Sequence, residues 1–337
     1  MKSFTGKIAV ITGGGSGMGR ELALQLAAMG CDVVLCDVLP ENLEETKRLC
    51  LLQAPHGTRV STFVADVSIE DQVLAFAEAV TRDLDTDHIH LLFNNAGVGT
   101  PDGSFVDGDR AEWEKTFNVC WYGVYYCTRA FLPLLRRADE AHIVNTSSAN
   151  GFWAGIDTAY STAKFAVKGF TEALIKDLSR YAPHIKCSVV MPGRVGTDVL
   201  TNSQKILRGS ETAVDVSAAR RWFAARGLNV AELSDDQIRA RMAERFKTFR
   251  DYAQLNAAGA ATIILDGVKA ERWRILVGED AAYLDERVRA APEEAYSPGF
   301  DESLRTMRGL GDRRGSSAGW IAGSVGSGPS PATPCPS

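Results

Sequence analysis

"KIAVITGGGSGMGRELALQLAAMG", residues 7–30, sets a short β-branched run before a glycine-rich turn, and then a run whose apolar residues recur at helical spacing. Strand, turn and helix in that order are what a phosphate-binding loop requires. Gly13 permits the tight turn, Gly17 lets backbone approach a pyrophosphate, and Gly19 lets the helix pack close to the sheet. The first turn of that helix offers unpaired N–H groups to an anion. Thr12, Ser16 and Met18 share the loop and are expected among its contacts to a dinucleotide.

The same alternation runs on through the chain. Further β-branched runs at 32–37, 59–67, 89–97, 141–148, 185–193 and 272–278 are separated by helical patterns near 41–53, 70–84, 110–137 and around Tyr160. Strands that are apolar throughout and divided by helices belong to a parallel sheet covered on both faces. The expected fold class is α/β, a Rossmann-type doubly wound parallel sheet in one domain over residues 1–300. A charged helical stretch at about 198–260 breaks the rhythm and is expected as an insertion over the site. Gly, Ser and Pro dominate residues 308–337, a composition that buries too little surface to order itself, so a disordered tail is expected there.

Composition removes several function classes. A net charge of -5 with scattered Lys and Arg leaves no basic footprint for nucleic acid. No apolar run approaches the ~18 residues of a membrane span or the core of a signal peptide. Seven cysteines without CxxC pairs fit a reducing compartment, and five histidines without ligand spacing predict no metal site. A soluble, cytoplasmic protein is expected.

Asp37 ends the second run, 18 residues after Gly19, where a carboxylate accepts hydrogen bonds from the adenine ribose and repels a 2′-phosphate. Neither Gly15, Ser16 nor Val38 supplies a cation, so NAD is expected over NADP, with Arg20 read as a surface residue of the first helical turn. Farther along, "AYSTAKFAVKGF" (159–170) places Tyr160 and Lys164 four apart on one helical face, where both heads can share a cleft.

Taken together, these motifs resemble the short-chain dehydrogenase/reductase family over about residues 5–200: TGxxxGxG at 12–19, Asp66 after the third strand, NNAG at 94–97, the serine pair at 147–148, YxxxK at 160–164 and PGRVGT at 192–197. The resemblance implies that Asp66 and Val67 contact adenine and that Asn95, Ala96 and Gly97 line the cofactor cleft. It implies that Pro192 to Thr197, including Gly193 and Val195, hold the nicotinamide end, with Lys164 on the nicotinamide ribose. Tyr160 would be the general acid/base, a serine would polarise the substrate carbonyl, and the reaction would interconvert an alcohol and a ketone. A cation about 4 Å from the phenol, at an effective dielectric of about 20, is worth about 4 kcal/mol, or about three pKa units. Lys164 is therefore expected to bring Tyr160 toward neutral pH.

Two positions depart from the family pattern. Spacing of thirteen residues to Tyr160 points to Ser147, whereas the second serine of the pair, followed three residues later by Gly151, points to Ser148; Ser148 is preferred as catalytic. In relatives an asparagine three residues before a glycine extends the proton relay, but here that position is Cys120, counted back from Gly123, and Asn118 lies about 200° away on an α-helix. An altered relay is expected.

Apolar residues expected to face the substrate are Phe152, Trp153, Ile156 and Val199, then Leu200, Ile206, Trp222 and Phe223, which suit a hydrophobic alcohol or ketone. The apolar helix at 121–135 and the Tyr160 helix are expected to assemble a homodimer or homotetramer. An NADPH-dependent carbonyl reductase and a cofactor-binding scaffold without turnover are the alternative readings.

Overall fold

The computed structural model describes residues 1–99, 104–155, 157–210, 212–224, 227–297 and 300. Its centre is a parallel sheet of seven strands. In chain order they are β1 (Ile8–Thr12), β2 (Asp32–Asp37), β3 (Val60–Val64), β4 (Leu91–Asn94), β5 (Ala141–Thr146), β6 (Ile185–Pro192) and, after the short pair β7 (Val195–Gly196) and β8 (Leu255–Asn256), β9 (Arg274–Val277). The sheet order is β3-β2-β1-β4-β5-β6-β9, the doubly wound arrangement expected. β1, β4 and β5 are buried along their whole length, which is why they read as unbroken apolar runs rather than alternating ones.

Helices cover both faces. One core places α1 (Gly17–Ala28), α2 (Pro40–Gln53) and α10 (Ala257–Lys269) on the sheet through Leu22, Leu26, Leu43, Ile264 and Leu265. The other packs α3 (Glu70–Asp83), α5 (Gly123–Leu135) and α6 (Thr158–Tyr181) through Phe76, Phe131, Ala163 and Leu174. Phe76 and Phe131 meet edge to face with ring centroids 5.3 Å apart. Upstream of α5, α4 (Arg110–Phe117) passes into a π-helical turn at Asn118–Tyr122, so the segment expected as one helix over 110–137 is two helices joined by a wider turn.

The stretch expected as an insertion at about 198–260 is helical. α7 (Val199–Arg208), α8 (Val216–Ala224) and α9 (Asp235–Asp251) form it, and Phe223, Ile238, Met242 and Phe246 give it a core of its own. α10 belongs instead to the sheet layer, because its apolar residues bury against α1. The compact unit spans Met1–Ala295, and the tail expected over 308–337 lies outside the described residues. No helix among the described residues is long and apolar enough to cross a membrane.

Candidate active site

Strand order reverses at β1, which has β2 on one side and β4 on the other, and a crevice opens beyond the carboxyl ends of such strands. A cleft open to solvent lies there, with an internal volume of about 130 Å³. The phosphate loop lines it with Gly13, Ser16, Gly17 and Met18, and β2 contributes Asp37. Asp66, Val67, Asn95, Ala96 and Gly97 form another part of the wall. Thr197 and Val199 close it from the insertion side.

The loop is held by contacts that only small residues allow. Gly13 has φ +65°, and a Cβ there would fall 2.8 Å from Ala96 Cα, so the loop touches the end of β4 directly. Gly19 is pressed against the Gly13 carbonyl rather than the sheet. Thr12 is buried and works inward: its hydroxyl accepts from the N–H groups of Asn95 and Ala96, both at 3.0 Å. The Asn95 side chain donates to the Thr12 carbonyl at 3.2 Å, and its Oδ1 is buried with no partner among the described residues.

Asp37 accepts from Gly15 N at 3.0 Å and Leu39 N at 3.1 Å. Burial pushes its carboxyl up, and those N–H groups pull it back down. Arg20 is not the surface residue expected. Its guanidinium donates to the Gly15 carbonyl at 2.6 Å and to Thr46 Oγ1 at 2.9 Å, because the loop leaves that carbonyl without a helical partner. Asp66 caps the turn into α3, accepting from Ser68 N at 2.9 Å.

The residues expected to be catalytic meet where β5 ends. Ser147 donates to the Lys164 carbonyl at 2.7 Å and is buried against α6. Ser148 Oγ accepts from Asn150 N at 3.1 Å and stands beside the Tyr160 phenol, whose charged form it favours. Lys164, one turn along α6 and 2% exposed, donates to the Thr146 carbonyl at 2.8 Å, with its Nζ 5.4 Å from the Tyr160 ring centre. Asp157 caps α6, accepting from Tyr160 N at 3.0 Å.

Electrostatics here differ from the expectation for Tyr160. Burial pushes its phenol up, the neighbouring Cys120 and Asp157 add to the rise, and the Ser148 hydrogen bond opposes it. The same burial pushes Lys164 down. Desolvation outweighs the ammonium, whose charge is itself expensive in this site.

Cys120 sits in the π-helical turn, fully buried, and its thiol contacts the Val98 carbonyl at 3.1 Å. A Cβ on Gly97 would lie 3.5 Å from Lys164 Nζ and 3.8 Å from Cys120 Sγ, so thiol and ammonium flank one spot. The α-helical angle used to set Asn118 aside does not apply in a π turn, yet Cys120 is the residue beside Lys164.

Several predicted residues lie off the cleft wall. Pro192 pairs with Val277 at the sheet edge, Val195 pairs with Leu255, and Gly193 is packed against the Asp280 carboxylate, which also accepts from Arg194 N at 2.7 Å. Phe152 lies under the Arg274 guanidinium, 5.9 Å from ring centre, and Trp153 donates to the Ala295 carbonyl at 2.7 Å. Both turn to the C-terminal segment. Leu200, Trp222 and Phe223 join the insertion core, and Ile156 lies outside the described residues. Val98, Val119, Asn202 and Ser203 line the cleft and were missed; nothing in their spacing marks them. Asp157 carried a readable signal, an acid three residues before Tyr160 where a helix begins.

Comparison with known proteins agrees with this geometry. Residues 7–207 match the family described as short chain dehydrogenase. SadH of Mycobacterium tuberculosis is 36% identical over 286 residues, covering 85% of this chain and 91% of the relative. Levodione reductase of Leifsonia aquatica is 34% identical over 226 residues, 65% of this chain and 83% of that one. A short-chain dehydrogenase/reductase of Burkholderia phymatum, solved in complex with NAD, superposes with a TM-score of 0.69 at 30% identity, over 87% of this chain and 95% of its own. Solved relatives hold NAD or NADP. With a family match over residues 7–207 and a relative 36% identical across 85% of this chain, the chain belongs to the short-chain dehydrogenase/reductase family.

Proposed function

We propose that this chain is an NAD-dependent oxidoreductase that interconverts a hydrophobic secondary alcohol and its ketone. The observation that carries the reading is the Lys164 ammonium 5.4 Å from the Tyr160 ring centre and held to the Thr146 carbonyl at the carboxyl edge of the sheet, with Ser148 beside the same phenol. The cleft fits a nicotinamide dinucleotide. The loop is narrowed to backbone at Gly13 and Gly19, the first turn of α1 is open, and Asn95 Oδ1 is an orphan in the wall. Gly17 and Met18 would hold the pyrophosphate, Asp37 the adenine ribose, Asp66 and Val67 the adenine, and Lys164 with Tyr160 the nicotinamide ribose. Thr197 would support the nicotinamide end. The dinucleotide supplies or accepts the hydride when bound.

The protein's own groups handle the proton. Ser148 donates to the substrate oxygen and stabilises the negative charge that develops there. Tyr160 gives that oxygen a proton in reduction and takes one in oxidation. A phenol raised by burial is protonated at neutral pH, which favours its use as the acid in ketone reduction. Asp37 supports NAD over NADP, because a 2′-phosphate would face a half-buried carboxylate and Arg20 is engaged below the loop. Val98, Val119, Val199 and Ile206 support an apolar substrate, as does the relative named levodione reductase. Exposed Tyr122 and Phe165 support assembly as a homodimer or homotetramer, and the free cysteines fit a cytoplasmic setting.

The test follows the absorbance of reduced nicotinamide with NAD and with NADP, using hydrophobic secondary alcohols and ketones, on the native protein and on Tyr160→Phe. Turnover with NAD that is lost in the variant supports the reading. Faster turnover with NADP would replace NAD, and dinucleotide binding without turnover of any compound would favour a scaffold.

A further inference from the structure

The insertion reaches the phosphate loop through one side chain. Asn202, on α7, donates from Nδ2 to Ser16 Oγ at 3.0 Å. Ser16 is the N-cap of α1, and a capping serine ordinarily accepts from an N–H of its own helix. Here it makes no such bond, and its oxygen is engaged by α7 instead. The first-turn N–H groups of α1 are thus left without that cap, while an amide from the opposite wall stands beside them. Ser16, Gly17, Met18 and Asn202 all line the same cleft. The Thr197 methyl lies 3.2 Å from where a Cβ on Gly17 would sit, so the segment leading into α7 already meets the loop at this point.

Other contacts fix α7. Gly99 N donates to Ser203 Oγ at 3.1 Å, Lys115 donates to the Ile206 carbonyl at 2.7 Å, and Arg208 pairs with Glu112 through two nitrogens. Asn202 is therefore not required to hold its helix. Its amide nitrogen carries two N–H donors, and among the described residues Ser16 engages one.

We propose that Asn202 is a further dinucleotide-binding residue, which closes the phosphate site from the insertion side by donating its amide to a pyrophosphate oxygen opposite the α1 N-terminus. The proposal rests on the dinucleotide reading of the cleft. A neutral amide suits the place, since it adds a donor without a charge.

Equilibrium binding of NAD, NADP, ADP-ribose and adenosine, followed by calorimetry and tryptophan fluorescence, tests it on the native protein, Asn202→Ala and Asn202→Asp. Asn202→Ala should bind ADP-ribose and the preferred dinucleotide about tenfold more weakly. Asn202→Asp should lose more, because a carboxylate would face the pyrophosphate. Adenosine, which has no pyrophosphate, should bind all three alike, and ligand-free thermal midpoints should agree. Equal affinity of native protein and Asn202→Ala for ADP-ribose would overturn the proposal, as would an equal loss for adenosine, which would mean that α7 had shifted. A native protein that binds neither dinucleotide nor ADP-ribose would remove the cleft reading itself.

Discussion

The Ser147 hydroxyl donates to the Lys164 carbonyl at 2.7 Å, while the adjacent Ser148 stands beside the Tyr160 phenol. Consecutive residues in extended backbone point to opposite sides, so one serine fastens α6 to the end of β5 and the other faces the phenol. Ser147→Ala should lower stability by about 1 kcal/mol, seen in the thermal midpoint, and keep most turnover. Ser148→Ala should keep the midpoint and lower kcat by about 10² to 10³. The reverse pattern would make Ser147 the catalytic serine.

Asp157 combines two jobs that a single substitution separates. Its carboxylate caps α6 and raises the Tyr160 phenol. Asparagine caps a helix as well as aspartate but carries no charge. Asp157→Asn should move the pH profiles of oxidation and reduction to lower pH with little change in stability. Unmoved profiles, with a destabilised Asp157→Ala, would leave it a cap alone.

Cys120 is the family departure closest to the reacting groups. Replacing the buried thiol beside Lys164 with a side chain that both donates and accepts should restore a relay. Cys120→Asn is expected to speed proton-limited turnover by about tenfold and to shift its pH profile. An unchanged rate and profile would show that the thiol alters nothing.

His142 makes stability depend on acid. It is buried in β5, its Nε2 lies 2.6 Å from Ser188 Oγ, and that hydroxyl donates to the Arg272 carbonyl, so Nε2 carries the proton. Nδ1 is buried without a partner among the described residues. Burial, aided by the N-terminal ammonium, pushes the imidazole down to about 4. The unfolded chain binds this proton near pH 6.5 and the folded one does not, so stability is full above 6.5 and falls as pH drops toward 4. Its size is on the order of 3 kcal/mol. His142→Leu should lessen the fall of the thermal midpoint between those values, the remainder coming from His90, which burial also pushes down to about 4.

The order of strand, loop and helix, and the residues that meet at the cleft from Gly13 to Thr197, were legible because their chemistry is local. A glycine turn needs only its neighbours, and buried parallel strands mark themselves by unbroken apolar runs. Side-chain direction is not local. Phe152 and Trp153 read as a substrate wall, yet they turn to Arg274 and Ala295, which lie more than a hundred residues away. Arg20 read as surface until the Gly15 carbonyl placed a partner beneath it.

The sequence alone therefore determined the doubly wound sheet, the phosphate loop and the pairing of Tyr160 with Lys164, since each follows from backbone geometry over a few residues. Tertiary structure alone decided which serine faces the phenol, that burial raises that phenol despite the nearby lysine, and that Asn202 crosses to Ser16. Those outcomes depend on desolvation and on contacts between segments far apart in the chain, and no local spacing encodes either.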